Sequence, residues 1–204
     1  MNQPKLDTLR EAALGLVSVR MSKVAFHLDY VTYPLLIVLC LWLGLGQVRL
    51  WLIAPLFVFG LAVWTLAEYL LHRFVLHAWP YFAKFHQAHH DEPRAMIAAP
   101  TIFSMGIFAV IAFLPGSLLL GLWPALPWFA GFLSGYVAFG IVHELVHHSN
   151  GHGPLLRHFK LLHARHHHGN EGHNFGVLTG FWDRLFGTYE APSRNRPKGL
   201  SPAR

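Results

Sequence analysis

Four clusters of histidine carry the chemistry that this sequence can do: His72-Arg-Phe-Val-Leu-His77, His86-Gln-Ala-His89-His90, His143-Glu-Leu-Val-His147-His148 and His163-Ala-Arg-His166-His167-His168. Residues at i, i+3 and i+4 share one face of a helix, so His86, His89 and His90 present three imidazoles in one direction. His163, His166 and His167 do the same, and His143 pairs with His147. His72 and His77 are five apart, about 140° around an ideal helix, which assigns them to different metals or ends the helix between them. The favoured set is ten rings, whereas one zinc ion takes about four ligands and an open catalytic site about three from protein. Two ions are therefore expected. Crowded imidazoles repel one another when protonated, and a bound metal removes the need for those protons. The single Cys40 lies in an apolar run, so any metal must be held by nitrogen or oxygen. His148, His168 and His173 are read as spare or supporting groups, and His27, His152 and His158 as surface residues.

Other chemistries use fewer of these residues. His143-Glu-Leu-Val-His147 has the spacing of a zinc peptidase helix, in which two imidazoles bind the ion and Glu144 is the general base. Asp183 is its third-ligand candidate. That account leaves eight of the ten rings without a role. A non-enzymatic metal carrier would line a path across the bilayer with its ligands, whereas these gather at one end of the apolar segments. The Glu and Glu-x-x-His pairs of soluble carboxylate di-iron bundles are missing: Glu68 precedes His72 by four residues, and no helical Glu-x-x-His pair stands elsewhere.

The elements that must position the clusters are membrane helices. Hydrophobic residues make up 53% of the 204 and charged residues 13%, far below the charge of an ordinary soluble domain. Residues 31–71 are too long an apolar run for one span, and divide near the "GLGQVR" at 44–49 into helices over 31–46 and 50–71. A second apolar block divides at its Pro and Gly residues into helices over 100–121 and 125–147. Lys5, Arg10, Arg20 and Lys23 precede the first span, Arg73, Lys84 and Arg94 lie between the second and third, and Arg157, Lys160, Arg165 and Arg184 follow the fourth. Only Arg49 stands in the two opposite loops, so both termini, the central loop and every histidine cluster are expected on the cytoplasmic side. The net charge of +6 is explained by those loops; the interleaved basic and aromatic face of a nucleic-acid binder is absent. Residues 1–30 read as an N-terminal segment with an amphipathic surface helix over 6–19 and no secretory signal, residues 31–190 as the membrane domain, and residues 191–204 as a disordered basic tail.

The order HxxxxH, HxxHH, HxxxH, HxxHH, with flanks "EYLLHRFVLH" at 68–77 and "NFGVLTGFWDRLFGTY" at 174–189, resembles the fatty acid hydroxylase and sterol desaturase superfamily of membrane di-iron oxygenases over roughly residues 60–190. The resemblance implies an all-α membrane fold of four spans with a cytoplasmic helical cap. It implies that His72, His77, His86, His89, His90, His143, His147, His163, His166 and His167 ligate two iron ions, with zinc as a possible substitute. The flanks are most similar to fatty acid 2-hydroxylases, which hydroxylate the carbon beside an acyl carboxyl. "HHDEPR" at 89–94 is similar to carotenoid hydroxylases, where His148 would replace His147, so a carotenoid or sterol substrate is the alternative. The chemistry implied needs dioxygen, a lipid substrate and two electrons from a separate protein of cytochrome b5 or ferredoxin type. Glu144, Asn174 and Asp183 are the residues expected to orient ligand imidazoles, Glu144 being otherwise a charge at a helix end.

Overall fold

The computed structural model describes residues 19–151, 153–169 and 171–191. The amphipathic helix expected over 6–19, apart from Val19, and the tail beyond residue 191 lie outside the described residues. Helix α1 (Lys23–His27) leads into α2 (Asp29–Leu45), and α3 (Leu50–Leu70) continues through a π-helical segment, Leu71–Leu76. The cap helix α4 (Pro80–Asp91) follows. Next come α5 (Thr101–Phe108), a second π-helical segment (Ala109–Phe113) and α6 (Leu114–Leu120), which together make one continuous span. Helix α7 (Leu122–His148), the cap helix α8 (Pro154–His168) and the short α9 (Phe181–Leu185) follow, the last of the helices among the described residues.

Among the described residues, four stretches are long and apolar enough to cross a membrane: Lys23–Leu45, Leu50–Leu76, Thr101–Leu120 and Leu122–His148. The first and last begin earlier than expected. Pro124 sits in the first turn of α7, where proline costs no intrahelical bond, Pro127 lies inside the helix and forgoes one, and the break falls instead at Gly121, whose φ of 84° few side chains tolerate. Exposed Val31, Leu35, Val38, Trp42, Ile102, Val110, Leu118 and Leu119 face outward on these spans, as lipid contact requires. The fold is not purely helical. Val19–Arg20 (β1) pairs antiparallel with Ile97–Ala98 (β2), tying the start of the described chain to the connection between the second and third spans.

Helix α7 is the most buried span and packs beside α3 with the two chains running the same way. Small residues allow that approach: a Cβ at Gly131 would overlap the Phe57 carbonyl of α3. Trp64 fills the contact, edge-on to Phe108, Phe132 and Tyr136. Because α3 and α7 run parallel, His72 and His143 emerge at the same end of the bundle, where α4 and α8 cover them.

Candidate metal centre

The ten histidines expected to act together converge, and they do so as two groups of five. His72, His77, His86, His90 and His166 form one group; His89, His143, His147, His163 and His167 form the other. Within each, the candidate ligand atoms lie within 4.8 Å of one another. In the first group, Nε2 of His86 stands 3.0 Å from Nε2 of His72 and 3.1 Å from that of His90, and Nε2 atoms of His77 and His166 stand 3.0 Å apart. In the second, Nε2 atoms of His147 and His163 are 2.9 Å apart. Two nitrogens about 2.1 Å from a common ion and at right angles stand roughly 3.0 Å apart, so the spacing fits ligands around one cation.

Two details bear on the sequence expectation. His72 and His77 belong to the same group, with ring centroids 5.1 Å apart, because the helix between them widens: the His77 N–H donates to the His72 carbonyl, the i→i+5 bond of a π-helix. The helix ends at Leu76, between the two histidines, as one of the two alternatives expected, and separate groups are not needed. Nor does either cap triplet present all three imidazoles in the one direction expected from helix spacing. Helix α4 gives His86 and His90 to the first group and His89 to the second, and α8 gives His166 to the first and His163 and His167 to the second.

The electrostatics favour a cation. Burial, reinforced by neighbouring imidazoles, lowers His77 and His90 to about 4 and His89 and His166 to about 3, and holds His86 and His163 below the usual histidine range. These cap rings are therefore neutral at pH 7, with a lone pair to give. His163 Nδ1 and both ring nitrogens of His167 are buried with no hydrogen-bond partner among the described residues. Such a concentration of unmatched donors fits two first-row transition metal ions.

Backbone carbonyls orient the first group. His72 donates from Nδ1 to the Phe175 carbonyl (2.6 Å), and His166 from Nδ1 to the His173 carbonyl (2.8 Å), which leaves each Nε2 free. Asn174, at φ 57°, lies between those carbonyls and exchanges two 3.0 Å hydrogen bonds with the Glu190 backbone. The fully buried Asp183 accepts from Phe175 N–H (2.8 Å), Gly176 N–H (2.9 Å) and Thr188 Oγ1 (2.8 Å). Asn174 and Asp183 thus touch the loop that carries the acceptors and not the imidazoles. Glu68, which sequence reasoning used only to exclude another class, bonds Val177 N–H (2.5 Å) and Leu178 N–H (3.1 Å) of the same loop. Its position four residues before His72 was the available signal. Glu144 lies elsewhere: its carboxylate accepts from His27 Nε2 (3.0 Å) and interacts with Tyr30. A peptidase would need that carboxylate free beside an ion on His143 and His147, and Asp183 as a ligand; neither is so placed. His27, read as a surface residue, is this carboxylate's partner.

A cavity of about 370 Å³ reaches His72, His86, His89 and His143 at one end and the aromatic packing of Trp64 and Phe108 at the other.

Residues 57–188 match the fatty acid hydroxylase family profile. The chain belongs to the fatty acid hydroxylase family. It is 38% identical to the ceramide very long chain fatty acid hydroxylase of Saccharomyces cerevisiae, over 67% of this chain and 38% of that protein. It is 31% identical to a dihydroceramide fatty acyl 2-hydroxylase of Arabidopsis thaliana, over 72% of this chain and 64% of the other. The fold is similar to the solved structure of full-length scs7p, in which only the hydroxylase domain is visible, with a TM-score of 0.75 and 32% identity, covering 82% of this chain and 67% of that one. The chain spans 38% to 64% of the length of the curated relatives it matches. Family membership accounts for the order of the four clusters and for the flanks at 68–77 and 174–189, which in this fold carry Glu68 and the acceptor loop.

Proposed function

We propose that this chain is a membrane-bound, O2-dependent hydroxylase that inserts one oxygen atom into a C–H bond of a lipid acyl chain, at the carbon beside the carbonyl. The observation that carries the reading is the pair of five-histidine groups at the head of an apolar cavity within a membrane bundle. The names of the relatives, ceramide and fatty acyl 2-hydroxylases, support the acyl substrate and the position. The ions in this reading are iron, for which zinc can substitute in a nitrogen-rich site. Bound iron supplies the oxidation, in which C–H and O2, with two electrons and two protons, give C–OH and water. The ten imidazoles would hold the ions, the Phe175 and His173 carbonyls fix two of the rings, and the cavity walls would keep water from the acyl chain.

The two electrons come in this reading from a redox protein of cytochrome b5 or ferredoxin type. The Lys and Arg distribution supports a cytoplasmic location for both termini, the cap and the metal site. Residues 31–190 are the hydroxylase domain in this reading, of which the family match covers 57–188.

Mass spectrometry of lipids from membranes with and without the expressed chain tests the function. Acyl chains gaining one oxygen at carbon 2, lost on His166→Ala, are expected. Lipids unchanged while a peptide is cleaved in a Glu144-dependent manner would sink the reading.

A further inference from the structure

Helix α9 has two faces with different surroundings. The inner one carries Asp183, fully buried, whose carboxylate holds the N–H groups of Phe175 and Gly176 in the acceptor loop. The outer one is apolar and uncovered: Phe181 is 56% exposed, Leu185 60% and, just past the helix end, Phe186 47%. Such a patch marks a contact surface, and its level relative to the spans decides what covers it. Two contacts fix that level. Trp182 donates from Nε1 to Thr65 Oγ1 of α3 (3.0 Å), and the Phe186 ring stacks on Tyr69 of α3 with centroids 5.3 Å apart. A helix crosses the hydrocarbon core in about 20 residues, so a core counted from Leu50, which follows Arg49, ends near residue 70. Thr65 and Tyr69 both fall short of that end, and Thr65 lies roughly 10 Å deeper into the span than His72. Helix α9 is therefore held against a lipid-level stretch of α3, where Leu61 and Leu70 are themselves exposed. Its exposed Arg184 lies 3.9 Å over the Tyr189 ring and donates to the Gly180 carbonyl (3.0 Å), and a long basic side chain of this kind can keep its charge among lipid head groups.

We propose that the outer face of α9 is a lipid-contact surface seated in the bilayer where acyl chains meet head groups, and that this seat, through Asp183, holds the acceptor loop against His72. The occupant is bilayer lipid because the face continues the lipid-facing surface of α3 and combines large apolar side chains with a tryptophan and an arginine, the composition of an interfacial helix. A soluble partner would have to enter the apolar layer to cover it. Removing the lipid contact frees α9 to shift, and with it the Phe175 carbonyl that receives the His72 ring.

Fluorescence of the zinc-loaded full chain in lipid nanodiscs tests the seat. A bimane label on Leu185→Cys, in a chain also carrying Cys40→Ala, is expected to lose most of its emission to a nitroxide borne on the lipid acyl chains and little to iodide in the water. Stronger quenching by iodide, as on a face turned to solvent or to a soluble partner, or quenching by neither, as beneath a second copy, would overturn the proposal. Competition with a chelator tests the link to the rings. Leu185→Glu, which puts a carboxylate among the acyl chains, should weaken zinc binding about tenfold, and Leu185→Met should leave it within about twofold. Equal affinities for the two variants would overturn the link. Where Leu185→Glu does not fold, Phe181→Gln takes its place, with weaker binding expected and wild-type affinity as the contrary result. Neither readout involves turnover, so both stand apart from the acyl hydroxylase reading.

Discussion

Asp183 shows how far a buried carboxylate can act from the atoms it serves. It holds the N–H groups of Phe175 and Gly176, and the Phe175 carbonyl in turn receives the His72 ring. Asp183→Asn keeps the shape but points an amide N–H at one of those donors, so we expect about 1–3 kcal/mol of lost stability. Slackening of His72 should also weaken metal binding about 10- to 100-fold, measured by competition with a chelator. Acid acts on the rings themselves. Folding holds His77 and His90 at about 4 and His89 and His166 at about 3, against about 6.5 in an unfolded chain. Below pH 6.5 the unfolded chain takes up protons that the fold refuses, so stability falls with pH until the folded rings titrate near 4 to 3. Metal-stripped protein should melt at a lower temperature at pH 5 than at pH 7, and a flat Tm across that interval would contradict the assignment of neutral buried rings. The convergence of the ten histidines was legible because histidines at fixed helical spacings have few other uses. The carbonyls of His173 and Phe175 were not, because every residue has a carbonyl and only the fold selects two.

The spans were legible from hydropathy, and their ends less so, since the proline-rich start of α7 reads as a break although proline is tolerated in a first turn. The π-helical turn at Leu71–Leu76 had no sequence signature that ideal helix geometry could use; of the two alternatives the 140° argument offered for His72 and His77, the helix end between them is found and the separation into different groups is not. The division of labour within α4 and α8 was hidden too: adjacent residues such as His89 and His90 point into different groups of five because successive positions on a helix lie about 100° apart. Close contact between α3 and α7 sets the distance between the two sources of ligands. Gly131→Val would wedge a side chain against the Phe57 carbonyl, at a cost of about 1–3 kcal/mol. Displacing His72 from His143 should also lower metal content per chain, measured by elemental analysis of purified protein.

For the molecule as a whole, orientation is the open geometric variable, and the charge distribution fixes an expectation. In a chain carrying Cys40→Ala and Ser149→Cys, a membrane-impermeant maleimide should label inverted vesicles and not intact cells, because Ser149 follows the fourth span on the arginine- and lysine-rich side. Labelling of intact cells would reverse the topology and put the histidines outside. The relation between the two groups of five also has a consequence for assembly. Helices α4 and α8 each contribute to both groups, so on the two-metal reading each would be clamped only with both groups filled, and the first ion to arrive would pre-align ligands for the second. Native mass spectrometry during reconstitution should accordingly find chains carrying none or a full pair, with singly loaded species scarce throughout the titration.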